Sequence, residues 1–590
     1  MSAEQTAYRL FLSEQEWNAL SDKLRDPYFK TIAATNLEAV RHFEEEHSET
    51  LLHPPGTLAG SGPPRRPNWR ILKNRLLRAT VAWYLTREQR HLDHALATID
   101  HFIANGGGKS HGAVRARKAD LKTGEDMYVA SFALDVLEPF LGDGRIEALR
   151  AAVEHMLRSY LEGIEAKEWW RHSDFNWNTA VHGNAGLAAL AIRPCIPDLA
   201  ARVLDEARSG LRYVVAAFLP GGGWTEGPMY LATTLGHLTD FIAALDRIDG
   251  DDLGLPANRN LHDVFTSRLY MLGGDGRSIN FSDCGEESAE WMLPHAYWWA
   301  RKCSRPDWTS FEDMHVKPWR ESGGLFHDVE AFWYRPVFPE TQEPAPVRGL
   351  HMQGLDWYVW RGGRAWLGFR GGFNGGNHNH RDLGSFIFGA GPDRFLIDPG
   401  YGASDVAKHN AVSLWNKDQT ECARAPIFRL HEHPGGFYLA CDLSDAYPLR
   451  ASYYYRHLLL IDETHLLVLD DIMGRAGMRN GASFHLQTCL PHELTDGGVC
   501  LRGAHAALNI RILEPPDQIT VHEWTWRNAQ ITTLSWYEEW DHVHSVHPML
   551  LSLADEPFSY EWGRDTATLR IRGAAYEIDL AECVMRRRDA

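Results

Sequence analysis

At about Lys317 the hydrophobic pattern of this 590-residue chain changes period, and that change limits the folds open to it more than any single motif does. Upstream, from Ser13 to about Arg305, apolar residues recur at spacings of three and four, interrupted by short polar or Gly/Pro breaks. The clearest runs are 71–85, 92–103, 127–141, 146–161, 185–191 and 199–218, and hardly any segment alternates with period two. About a dozen helices joined by short loops predict helical hairpins in a layered bundle or toroid. Downstream, short β-branched or aromatic runs are bounded by turn residues: Gly324-Leu-Phe-His, Ala331-Phe-Trp-Tyr-Arg, Leu355-Asp-Trp-Tyr-Val-Trp-Arg, Ala365-Trp-Leu-Gly-Phe-Arg, Phe386-Ile-Phe, 453–461, 465–469 and 568–571. They predict an antiparallel β-sandwich or stacked sheets without a long helix. The expected fold class is multidomain α + β, with a helical domain at 1–318 and a sheet domain at 319–590.

Composition narrows the function classes. At 44% hydrophobic and 23% charged the chain can bury large cores, and disorder is not indicated. A formal net charge of −18 argues against a general nucleic-acid or membrane-surface binder, yet a locally basic cleft on an acidic protein can still take a polyanionic sugar. Several of the 22 tryptophans, among them Trp169, Trp170, Trp177 and Trp224, lie beside Gly or polar residues, where an indole either stacks on a sugar ring or packs in a core. Eight cysteines without a C-x-x-C pair indicate reduced thiols. The sequence as written begins with neither a signal-like nor a membrane-spanning segment, so a cytoplasmic location is expected, or a periplasmic or secreted one if a signal preceded it. The Pro/Gly/Arg stretch at 54–67 reads as a surface excursion.

Three segments carry chemistry. In Asn374-Gly-Gly-Asn-His378-Asn-His380-Arg-Asp382, two histidines alternate, and alternation in a strand aims both at one face. Asp398, before a Pro-Gly turn, is expected one hairpin later, with His409 after a short polar connection. Two imidazoles and a carboxylate on separate strands suit a divalent ion, although in a chain with 30 histidines a surface or hydrogen-bonded role is the commoner fate of any one. In Asp174-Phe-Asn176-Trp177-Asn178-Thr-Ala-Val-His182-Gly-Asn-Ala-Gly186, the small residues predict an inner helix opening on a cavity. There Asn178 and His182 share a face, while Asn176 at the entrance either points its amide at a ligand or caps the helix. Pro220-Gly-Gly-Gly-Trp224-Thr-Glu226-Gly-Pro-Met-Tyr230 is a Gly-rich loop that delivers Tyr230 to a helix start and lacks the Gly-Lys-Ser/Thr ending of a phosphate loop. Glu226 is read as holding that loop or a cationic partner. The basic run Arg115, Arg117, Lys118 and Lys122 either contacts a sugar chain or forms a solvated helix face.

Together, Asn176-Trp177, the 222–230 loop, His378-Asn-His380-Arg-Asp382-Leu-Gly-Ser-Phe386, Asp398-Pro-Gly and His409-Asn410 resemble the heparinase II/III-like polysaccharide lyases, a group that includes heparin, heparan sulfate, chondroitin and alginate lyases. The resemblance implies an α/α toroid followed by an antiparallel β-sandwich, an active site in the cleft between them, and β-elimination on an anionic, uronate-containing polysaccharide or oligosaccharide. It makes Tyr230 the catalytic tyrosine, His378 the catalytic histidine and Asn176 the group that neutralises the substrate carboxylate. His182, Glu226, Trp177, Trp224 and Arg115 are expected along the substrate. His380, Asp398 and His409 are expected to hold one largely structural ion, zinc first, with manganese or calcium as alternatives. The connection from Asp398 to His409 is shorter than is usual in the group, and a tyrosine that some members carry there is missing unless Tyr401 replaces it. Neither nucleic acid nor membrane is expected as a partner, and a homodimer is left open. Two other classes compete: a metal-dependent glycoside hydrolase, and a non-catalytic carbohydrate-binding protein.

Overall fold

The computed structural model describes residues 9–45, 69–105, 119–287, 292–314, 328–340, 342–477, 479–527, 529–563 and 565–589. The chain forms two units, one of Met1–Phe218, Tyr230–Phe265 and Ala289–Pro344, the other of Leu219–Met229, Thr266–Ser288 and Ala345–Ala590. The division expected at 318/319 therefore falls at 344/345, and two short segments of the first half belong with the sheets. The reason lies in what the shifted residues touch. Asp328 pairs with Arg78 at 2.7 Å, and Trp333 packs its ring 5.9 Å from Trp17 and 6.0 Å from Phe132. The aromatic run at Ala331, expected as a strand, is the helix Ala331–Tyr334. Its aromatic side chains serve a helical core, and aromatic enrichment alone does not separate strand from buried helix. The run at Gly324 lies outside the described residues.

In the helical unit the periodic runs become Trp69–Thr86, Gln89–Ala104, Leu121–Val136, Asp143–Glu165, Asn184–Ile192 and Pro197–Ala216. Two of these have almost no exposed face. Leu121–Val136 is buried from Thr123 onward and Asn184–Ile192 is buried at all but one position, as inner helices must be. Pro197–Ala216 is amphipathic, burying Leu199, Val203, Leu204, Ala207, Leu211 and Val214 at helical spacing. Small residues set the inner spacing: a Cβ on Gly124 would lie 2.1 Å from the Ala180 carbonyl oxygen, and one on Gly183 would lie 2.9 Å from that of His237.

The sheet unit is antiparallel throughout its described ladders and built in layers. Its eight-stranded sheet has Ala451–Ile461 and His465–Gly474 near the middle, and the period-two alternation of these strands feeds two cores. Leu458, Leu460, Leu466 and Val468 face a core shared with the five-stranded sheet of Trp357–Arg361, Ala365–Arg370 and Phe386–Ala390 and with the sheet of Asn480–Thr488 and Ala529–Trp540. Leu459, Ile461, Leu467 and Leu469 face the other core, closed by the C-terminal sheet that holds Leu569, Ile571, Tyr576 and Ile578. The segment Thr266–Ser288 joins this unit because it lacks helical period and carries polar anchors. Asp275 accepts from Arg394 at 2.8 Å, and Ile279 fills the space over Gly368.

Candidate active site

Within the sheet unit, one carboxylate gathers the two alternating histidines. Asp283 accepts from Nδ1 of His378 at 2.8 Å with one oxygen and from Nε2 of His380 at 3.0 Å with the other. The backbone N–H of Gly402 adds a third bond to it at 2.6 Å. Burial opposes a charge on Asp283, yet the bonds from His378, His380 and Gly402 hold its pKa well below the usual carboxylate range. The expected strand is absent here: the chain between Gly372–Phe373 and Phe386–Ala390 is irregular, and His378 takes a left-handed backbone with φ +61°. A loop wraps both rings around Asp283 where a strand would have pointed them in parallel. A non-glycine residue held at positive φ is a strained position of the kind that collects at functional sites.

That loop is clamped from below. Arg370 Nε donates to Asp382 at 2.6 Å with both side chains buried, and Asn379 donates to the Phe373 carbonyl at 2.9 Å. Glu226, fully buried, accepts from Asn377 at 2.8 Å and from the Trp224 indole at 3.1 Å, and stands 3.7 Å from Nε2 of His378. Glu226 and Trp224 thus position the histidine loop. Trp224, expected along the substrate, is only 2% exposed and has no open face for a sugar. A cavity of about 260 Å³ beside Asn379 is lined by Thr225, Trp357, Arg370 and Arg424 among others.

The residues expected to hold an ion converge. Ligand atoms of His380, Asp398 and His409 lie within 4.8 Å of one another. His380 gives its Nε2 hydrogen to Asp283, so Nδ1 carries the lone pair, and Nδ1 is buried with no hydrogen-bond partner among the described residues. His409 places Nε2 2.6 Å from the Ala403 carbonyl and Nδ1 2.7 Å from Asp398, acceptors on both sides. Burial opposes a charged ring there, but Asp398 raises the His409 pKa to about 9. The donor set fits a divalent ion of the zinc class.

In the helical unit, Asn176 opens the short helix Asn176–Asn178 and is buried; the N-cap is Phe175. A π-helical turn, Thr179–Gly183, follows it. Asn178 donates to the carbonyls of Ser173 at 2.8 Å and Gly210 at 3.0 Å, and the His182 ring lies over Gly210 too, which is the shared face expected. His182, expected at the substrate, is a packing residue: the Tyr160 hydroxyl donates to its Nδ1 at 2.7 Å and its Nε2 donates to the Arg171 carbonyl at 3.0 Å. Burial drives its pKa down to about 4. Trp177 is half-buried, with its ring 4.8 Å from Trp169, which is 44% exposed. Tyr230, half-buried, is the third residue of Pro228–Asp249. Arg115 lies outside the described residues.

Sequence reasoning missed Asp283 and Asn377. Asp283 sits in Phe281-Ser-Asp-Cys-Gly, within the half read as helical, and its available signal was the loss of helical period after Gly273-Gly-Asp-Gly.

Residues 345–545 match the family described as Heparinase II/III-like, C-terminal. A search of curated proteins finds no match. Among solved structures, the chain is similar to a heparinase III, with a TM-score of 0.64 and 11% identity over 98% of this chain and 92% of that one. It is also similar to the heparan sulfate lyase of Pedobacter heparinus, with a TM-score of 0.56 and 12% identity over 88% and 82% of the two chains. A Paenibacillus xanthan lyase gives a TM-score of 0.56 at 10% identity, over 96% of this chain and 64% of that one. At such identities the likeness is one of fold, helical half first and antiparallel sheets second.

Proposed function

We propose, from the premise that the chain belongs through residues 345–545 to the heparinase II/III-like proteins, that it is a polysaccharide lyase cleaving a uronate-containing chain by β-elimination. The observation that carries this reading is the Asp283–His378 pair. An aspartate on Nδ1–H leaves Nε2 as the basic nitrogen of a ring whose side chain is 23% exposed, the tautomer and access that proton abstraction needs.

In the reaction a base removes the proton at C5 of the uronate. The C5 electron pair forms a C4–C5 double bond as the C4–oxygen bond breaks, and the departing oxygen takes a proton. The carboxylate beside C5 must accept charge in the transition state, and the Asn176 amide donors suit that load. His378 and Tyr230 divide the two proton transfers. An unperturbed tyrosine titrates near 10, so a cationic or hydrogen-bonding neighbour is required for it to act as base. The substrate is a uronate polymer such as a glycosaminoglycan or alginate.

Nδ1 of His380, Asp398 and His409 would hold a divalent cation, zinc before manganese or calcium, which would supply fixed positive charge and tie the histidine loop to the 398–409 connection. These three residues are 3%, 1% and 0% exposed, which favours such a structural role over a water-activating hydrolase.

The test is the product. Incubated with a panel of uronate polymers, the protein should release oligosaccharides that absorb in the ultraviolet through the new double bond. Saturated reducing ends without that absorbance would make it a hydrolase, and binding without any product would make it a carbohydrate-binding protein.

A further inference from the structure

The helical unit buries a second constellation, unrelated to the residues assigned above. Asp240 comes from the helix Pro228–Asp249, His295 directly precedes Ala296–Cys303, and Glu330 ends the turn Asp328–Glu330. Their ligand atoms lie within 4.8 Å of one another, and all three residues are buried to 2% exposure or less. Nε2 of His295 stands 3.1 Å from Asp240 Oδ1 and 3.6 Å from Glu330 Oε2. Bonds of 2.0–2.2 Å in a tetrahedral site separate neighbouring ligand atoms by about 3.3–3.6 Å, so these spacings already approximate the edges of such a site. The Tyr334 hydroxyl donates at 2.7 Å to the same Asp240 oxygen that faces His295, a bond that orients the carboxylate.

The surroundings are acidic. Glu125, Asp240 and Glu330 are each buried to 2% exposure or less, and Lys73 faces Glu125 at 3.7 Å and Glu330 at 3.8 Å. Carboxylates in a protein interior are held by pairing or by metal.

We propose that Asp240, His295 and Glu330 bind a divalent cation of the zinc or manganese class, a structural ion of the helical unit. Its bonds join three chain segments that are far apart in sequence. This site does not depend on the lyase reading.

The experiment measures metal content in the full-length protein by elemental analysis, with His380→Ala used to remove the sheet-unit ligand set. The His380→Ala protein should retain about one ion per chain. That ion should resist chelator while the protein is folded, because its ligands are closed to solvent, and leave on unfolding in denaturant. Adding His295→Gln should abolish it. Should that double variant fail to fold, His380→Ala loaded with cobalt(II) should show ligand-field bands without thiolate charge transfer. A His380→Ala protein with no ion, an ion stripped at once by chelator, or a thiolate band overturns the proposal.

Discussion

Asp283 fixes the tautomers of two imidazoles at once, since each of its oxygens accepts one ring hydrogen. An asparagine in its place offers one acceptor and one donor, so one ring must turn over its tautomer or lose its bond. If His380 turns over, its Nδ1 gains a hydrogen and loses the lone pair a metal needs. Asp283→Asn is therefore expected to lower kcat/KM by about 10–100-fold and to reduce retained metal, the usual scale for a partner that orients a ligand. Unchanged turnover and metal content would show that the carboxylate is incidental. At this scale the sequence was legible where a residue's role follows from its neighbours in the chain. The set of His380, Asp398 and His409 came with the family resemblance, since the strand that spacing predicted for His378 and His380 is absent, whereas the shared face of Asn178 and His182 could be read from spacing. The burial of His182 and Trp224 could not, because it depends on Gly210 and Tyr160 in one case and Glu226 in the other.

Among the elements, the loop that carries His378 and His380 is held by the buried Arg370–Asp382 pair, not by ladder hydrogen bonds. Removing one partner leaves a buried charge without its mate, which costs about 3–5 kcal/mol. Asp382→Asn should lower the denaturant midpoint of the transition that reports on the sheet unit, and a midpoint within error of the parent would refute the clamp. Element boundaries were readable wherever period was strong: the run at 365–370 is the strand Ala365–Arg370, and that at 185–191 is the helix Asn184–Ile192. They were not readable at Ala331–Tyr334, four residues with no room to show a period, nor at Thr266–Ser288, whose membership is decided by Asp275 and Ile279 meeting distant strands.

For the whole molecule, three buried neutral imidazoles set the acid limit. Burial lowers the pKa of His182, His457 and His485 to about 4 each. Unfolded, each takes a proton near pH 6.5, so between about 6.5 and 4 the unfolded chain binds more protons and stability falls as pH falls. The loss is on the order of 3 kcal/mol per ring at most. Melting temperature should decline steadily from pH 6.5 to 4.5, before most carboxylates titrate; a flat profile over that range contradicts this account. The two-unit order was visible in the change of period near Lys317, whereas the interleaving of Leu219–Met229 and Thr266–Ser288 with the sheets is a long-range property that no local pattern encodes. The central claim, that a tyrosine and a histidine share the proton transfers of an elimination, is tested most directly by Tyr230→Phe and His378→Ala on a uronate polymer that the parent cleaves. Each should abolish the ultraviolet-absorbing product while melting temperature stays near that of the parent. Retention of product by Tyr230→Phe at a rate within a few fold of the parent would contradict it.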